Sequence, residues 1–246
     1  MDSSLPKVKP YRYGKVRAMK RTRKARTDRG VVFFHQPMPN DCMPTCVKMI
    51  TDGILSGKKL SLSSLKDALG TTVFGTNGLT LRGNYTVADR LNSFFASKGF
   101  NLSARTVFQH KNKELFLKEL IDRDTYPIVS LKANGSFGQV KVLCTKLSDE
   151  FEHTVIPIKV DTFGQKIYCI DPLCDNSDGV IQGQRYAKDR LCDHYINLVD
   201  FMSYWDATER HTTYIEPRLP YYREAPQKQM TLNETANNQK VVGRRA

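Results

Sequence analysis

The apolar residues of this 246-residue chain change their period near residue 125, and that change most narrows the folds open to it. Before it they recur at helical spacing. Cys46, Met49, Ile50 and Ile54 share one face of a helix predicted over Cys42–Ile54; Asn40 and Asp41 offer capping oxygens, and Pro44 is tolerable only in the first turn. A second helix is predicted within 61–69, capped by Ser61 or Ser63, with Leu62, Leu65 and Leu69 on one face. Gly70 and Gly75 break it into a loop that runs to about Gly83. A third spans 86–98, with Val87, Leu91, Phe94 and Phe95 inward and Gly99 as its stop, and a fourth spans 113–122. After residue 125 the segments 126–132, 139–144, 153–160 and 165–171 alternate or run apolar, as strands do, and Asp161-Thr162-Phe163-Gly164 reads as a hairpin turn. A short strand over 31–35 and a late helix over 198–205 complete the pattern. Helices first and an antiparallel sheet after them give an α+β class, not an alternating parallel fold.

The 40% hydrophobic content supports one core, which the patterning places within 31–216. Charge lies elsewhere. Residues 7–29 hold eleven Lys or Arg against one acid, Asp28, and so carry +10 of the net +13. An arm over 1–30 is therefore expected, either a solvated, disordered tail or a contact for nucleic-acid phosphates, an acidic protein surface or anionic lipid. From Pro217 onward Pro, Gln, Asn and Lys dominate, and a disordered tail is expected over 217–246. No stretch approaches the roughly 18 apolar residues of a membrane helix. The first six residues contain no apolar run, so no secretory signal is expected and a cytoplasmic location is. In that setting Cys42, Cys46, Cys144, Cys169, Cys174 and Cys192 are expected as free thiols.

Thiol hydrolysis needs a thiolate near neutral pH, although a free thiol has a pKa of about 8.5. A helix N-terminus and a neighbouring imidazolium both lower that value. Cys42 stands at a predicted helix start. Of the five histidines, His35, His110, His194 and His211 lie in or near polar or loop segments, whereas His153 opens an apolar strand. A hairpin about 161–164 would return Asp171, at the end of the next strand, to its level. A lone histidine at a strand start is nevertheless more often structural.

The run Gln36-Pro37-Met38-Pro39-Asn40-Asp41-Cys42-Met43-Pro44-Thr45-Cys46 resembles the signature of the bacteriocin-processing, double-glycine-leader peptidases of the papain-like clan: a glutamine, a short spacer, Asp-Cys and a helix. The resemblance continues in order through residues 61–76, 86–100, 117–131, 153–172 and 199–205, covering roughly 31–206. It implies a papain-like α+β fold, with the Cys on an N-terminal helical half and the His and Asp on a C-terminal antiparallel sheet. It further implies Cys42 as nucleophile, His153 as general base and then acid, and Asp171 as the group that orients His153. Gln36 would donate to the oxyanion together with the backbone N–H of Cys42. The implied substrate is a peptide or protein, and no cofactor or metal is implied. Two departures stand out. Met43 replaces the usual small residue and could narrow the cleft or change specificity, and the transporter-linked role of many relatives does not carry over.

Other readings remain open at this stage. The same triad serves acyl transfer in some papain-like proteins, and an idle papain-like domain could act as a binding module with the basic arm. Cys46 reads as a small buried apolar residue, and Trp205 and the Phe94/Phe95 pair as core. Cys169, Cys174, Cys192 and His194 can be drawn as a zinc set, but their spacing fits no common module.

Overall fold

The computed structural model describes residues 30–55, 59–71, 87–108, 111–135, 138–149 and 152–218. The expected arm and tail, and the glycine-bounded loop beyond Thr71, lie outside these residues except for Gly30, Pro217 and Arg218.

Where helical periodicity was strong, helices form. They are α1 Cys42–Ile54, α2 Leu62–Leu69, α3 Val87–Ser97, α4 Lys113–Asp122 and α5 Leu198–Asp206. The Ser61 hydroxyl accepts from Ser64 N at the start of α2, and Gly70 ends it at φ 69°, the left-handed conformation a helix stop favours. Gly53 serves a different purpose. A Cβ there would stand 1.8 Å from the Gly30 carbonyl oxygen, so α1 and the chain entering β1 (Val31–Val32) approach backbone to backbone.

A six-stranded antiparallel sheet forms the centre. Its strands are β2 Leu102–Val107, β3 Ile128–Leu131, β6 His153–Asp161, β7 Lys166–Ile170, β9 Tyr195–Asn197 and β10 Thr212–Pro217. Their order across the sheet is β2-β10-β3-β6-β7-β9. The short strand β8, Arg185–Tyr186, pairs with β1, and β4 Val140–Val142 pairs with β5 Thr145–Leu147. The segment expected as one strand over 139–144 is thus the first half of a hairpin, reversed at Leu143, whose φ is 55°. β2, β5, β8, β9 and β10 were not anticipated.

Both faces of the sheet are buried. Ile128, Ile156, Ile158 and Ile170 join one core with Cys46, Met49, Leu65, Leu91 and Phe95 from α1–α3. Val129, Leu131, Val155, Ile167 and Cys169 join a second with Leu117 of α4 and Phe201 and Trp205 of α5. A strand covered on both sides needs apolar residues at consecutive positions, which explains the run 154–158 in β6. Pro157, which has no N–H to give, lies at the register shift between β6 and β7, where the ladder tolerates it.

Candidate active site

The first turn of α1 lies against the start of β6. Cys46 fixes that contact, with its sulfur 3.6 Å from the Thr154 carbonyl oxygen and 3.8 Å from its hydroxyl. Cys42 is one turn earlier on the same face, because residues four apart stack along a helix. Its thiol thereby meets His153, the neighbour of Thr154 and the first residue of β6. Asp41 occupies the cap position of α1, but its carboxylate makes no cap hydrogen bond. It is buried and pairs instead with Lys66 of α2 at 2.8 Å.

The β6–β7 hairpin turns at 161–164, where Gly164 N donates to the Asp161 carboxylate at 2.9 Å, and brings Asp171 back beside His153. His153 Nε2 and Asp171 Oδ1 are 2.8 Å apart, and both residues are buried. Three further donors or acceptors hold Asp171 in place. Thr145 Oγ1 donates to Oδ2 at 2.5 Å, Leu173 N donates to Oδ1 at 2.9 Å, and the Asp171 carbonyl accepts from Cys174 N at 3.1 Å. The next residue, Pro172, accepts from Gln36 N at 2.8 Å, which ties the segment leading to Cys42 onto the Asp171 turn.

Burial opposes charge at all three groups, and their mutual interactions overcome it. For Cys42, burial raises the pKa, but hydrogen bonding and attraction from His153, with a smaller part from Thr154, bring it below its ordinary value. For His153, burial lowers the pKa, yet attraction from Asp171 and hydrogen bonding to it, aided by Cys42, push it up to about 10. For Asp171, burial raises the pKa, while His153, Thr145 and Leu173 together hold the carboxyl below its usual range. These directions favour one proton arrangement: thiolate, imidazolium, carboxylate. With Nε2 committed to Asp171, Nδ1 is the ring nitrogen left to face the sulfur, and it is buried without a hydrogen-bond partner. The remaining free thiols behave differently. Burial drives Cys46, Cys169 and Cys192 upward and keeps them protonated.

Gln36 is buried beside this line, with both amide N–H groups given to loop carbonyls, Met38 at 2.9 Å and Pro39 at 3.1 Å. Met43 packs into the core with 2% of its surface exposed, so its side chain does not line a cleft. Thr145 and Thr154 went unnoticed in the sequence, as no motif marks either.

The zinc set drawn from the sequence does not assemble as drawn. Cys174 and His194 converge with Cys144 instead, while the Cys192 sulfur points to the Cys169 carbonyl oxygen at 3.2 Å. The expectation of free thiols also needs correction: Cys144 and Cys174 form a disulfide. The β4–β5 reversal at Leu143 carries Cys144 to the turn that follows Asp171, a proximity that a sequence separation of 30 conceals. Among the described residues no helix is long and apolar enough to cross a membrane.

No family model and no curated protein matches the chain. Among solved structures, a crystal structure from Bacillus anthracis that bears the name "putative C39-like peptidase" is similar at a TM-score of 0.49 and 12% identity, covering 76% of this chain and 97% of that one.

Proposed function

We propose that this protein is a cysteine peptidase, with Cys42 as nucleophile, His153 as general base and acid, and Asp171 as the carboxylate that orients His153. The observation that carries the reading is the continuous line from the Cys42 thiol through His153 to Asp171, with each pKa moved in the direction the chemistry needs. The thiolate attacks the scissile carbonyl, and the imidazolium gives its proton to the leaving amine. A thioester remains. Water, deprotonated by the now neutral His153, then cleaves it and restores the thiol pair. Positioned proton transfer of this kind contributes on the order of 10²–10⁴-fold.

The developing oxyanion needs donors. One is the backbone N–H of Cys42, which belongs to the first turn of α1, where backbone N–H groups are not used within the helix. The other is Gln36, which serves once one of its two N–H groups leaves the Met38 or Pro39 carbonyl.

Thiol reactivity tests the reading. Iodoacetamide near pH 6 should alkylate Cys42 far faster than Cys46, Cys169 or Cys192, because only a lowered pKa leaves thiolate there. His153→Ala should abolish that excess, and Cys42→Ala should abolish cleavage of a mixed protein substrate. Alkylation of Cys42 no faster than that of Cys46, Cys169 and Cys192, or unchanged in His153→Ala, would refute the assignment and favour an idle binding module.

A further inference from the structure

We propose that Cys144, Cys174 and His194 form a metal site that becomes available when their disulfide is reduced, and that it takes a thiophilic divalent ion such as zinc. The two sulfurs and His194 Nδ1 lie within 4.8 Å of one another. Nδ1 is 3.3 Å from the Cys174 sulfur and 3.7 Å from the Cys144 sulfur. Tetrahedral zinc, with Zn–S near 2.3 Å and Zn–N near 2.0–2.1 Å, spaces its sulfur and nitrogen ligands about 3.6 Å apart. Both nitrogen–sulfur separations therefore already suit a shared ion. Only the two sulfurs must part, to about 3.8 Å on the same geometry, and cleavage of their bond allows it.

A second, independent observation concerns the other ring nitrogen. His194 Nε2 hydrogen-bonds the Asp178 carbonyl oxygen. A carbonyl only accepts, so the proton sits on Nε2 and the Nδ1 lone pair faces the sulfurs. That is the outer-sphere arrangement a metal-binding histidine commonly has. The carbonyl belongs to the 3-10 turn Asn176–Asp178, held by a reciprocal pair of bonds between Asp175 and Asp178. The imidazole is thus set before any ion arrives. Cys174 is buried, while Cys144 and His194 are half-buried and open a route for entry.

The chemistry balances with an external thiol. Two equivalents of RSH cleave the Cys144–Cys174 bond; each cysteine gains an electron and a proton, and the reductant leaves as RSSR. Zn²⁺ then displaces both thiol protons to solvent and binds two thiolates and the neutral Nδ1, leaving a fourth position for water. Bond and ion exclude each other, so the site reports the thiol poise around the protein. Binding here does not depend on the role proposed for Cys42.

Cobalt titration of the full chain tests the site in a Cys42→Ser background, where the Cys42 sulfur cannot contribute. After reduction with dithiothreitol and anaerobic desalting, one equivalent of Co²⁺ should give thiolate-to-cobalt absorption and tetrahedral visible bands, which Zn²⁺ bleaches. The unreduced chain should give neither. Cys174→Ser should weaken binding by more than the roughly 10–100-fold that losing an outer-sphere partner costs, and so should His194→Ala. Cys192→Ala should leave the spectrum unchanged. Absence of thiolate bands in the reduced chain overturns the proposal whether or not the variants fold, and so does an unchanged spectrum in His194→Ala.

Discussion

Three side chains of ordinary chemistry acquire unusual protonation here because each is buried against the next. The outermost support is Thr145, whose hydroxyl occupies the Asp171 oxygen that His153 does not use. Thr145→Val keeps the shape and removes the donor, leaving a buried carboxylate oxygen unpartnered. Urea denaturation at pH 7 should show a loss of about 1.5–3 kcal/mol, the range for hydrogen bonds to charged groups. The sign follows from Asp171, whose folded pKa is lowered. The stabilisation is present above the unfolded value of 3.8 and is lost as pH falls through the folded one, so wild type and variant should converge in acid. Cys42 alkylation should slow in the variant, since an Asp171 no longer held at Oδ2 orients His153 less firmly. Cys42, His153 and Asp171 were visible as candidates because each sits at an element boundary that patterning could find. Thr145 was not. It follows a reversal made by Leu143 in the left-handed region, where neither Gly nor Asn announces a turn, so the strand read over 139–144 runs through the turn and stops short of β5.

At the scale of elements, helices were legible and half the strands were not. α1 and α4 fall on the predicted bounds, because a 3.6-residue period over ten or more residues is a strong signal. β2 and β10 pair along six residues each, yet β10 buries Thr212 and Thr213 and ends in Pro217, which resembles a loop in composition. β8 and β9 have only two and three residues. Such strands owe their existence to partners far along the chain, which no local window contains. The packing of α1 yields its own prediction. Gly53→Ala places a methyl group on the Gly30 carbonyl, so α1 or β1 must shift. Overpacking of this kind costs about 1–3 kcal/mol, measurable by thermal denaturation, and outweighs the helix propensity gained. Because α1 carries Cys42, alkylation of that thiol should slow as well.

For the whole molecule, two buried histidines set opposite edges of a pH window. His211 lies between α5 and β10, its Nδ1 2.9 Å from the Ser130 hydroxyl, and burial lowers its pKa to about 4 from 6.5. Between those values the unfolded chain binds a proton that the native protein refuses. Stability is therefore full above 6.5 and falls by about 3 kcal/mol on acidification to pH 4. His211→Phe should flatten that part of a stability–pH curve measured by urea denaturation, and an unaltered slope would assign acid lability to other groups. His153 acts at the other edge. Its pKa is raised, so its contribution is complete below 6.5 and disappears as pH rises through about 10.

The strand order carries a consequence for biosynthesis. β10 follows every other described strand in the chain, yet it lies inside the sheet, between β2 and β3. A nascent polypeptide can form helices and the β6–β7 hairpin as it leaves the ribosome, but β2 has no edge to join until residues 212–217 emerge. Closure late in translation leaves the sheet that carries His153, and the turn that carries Asp171, unfinished until this last strand is in place.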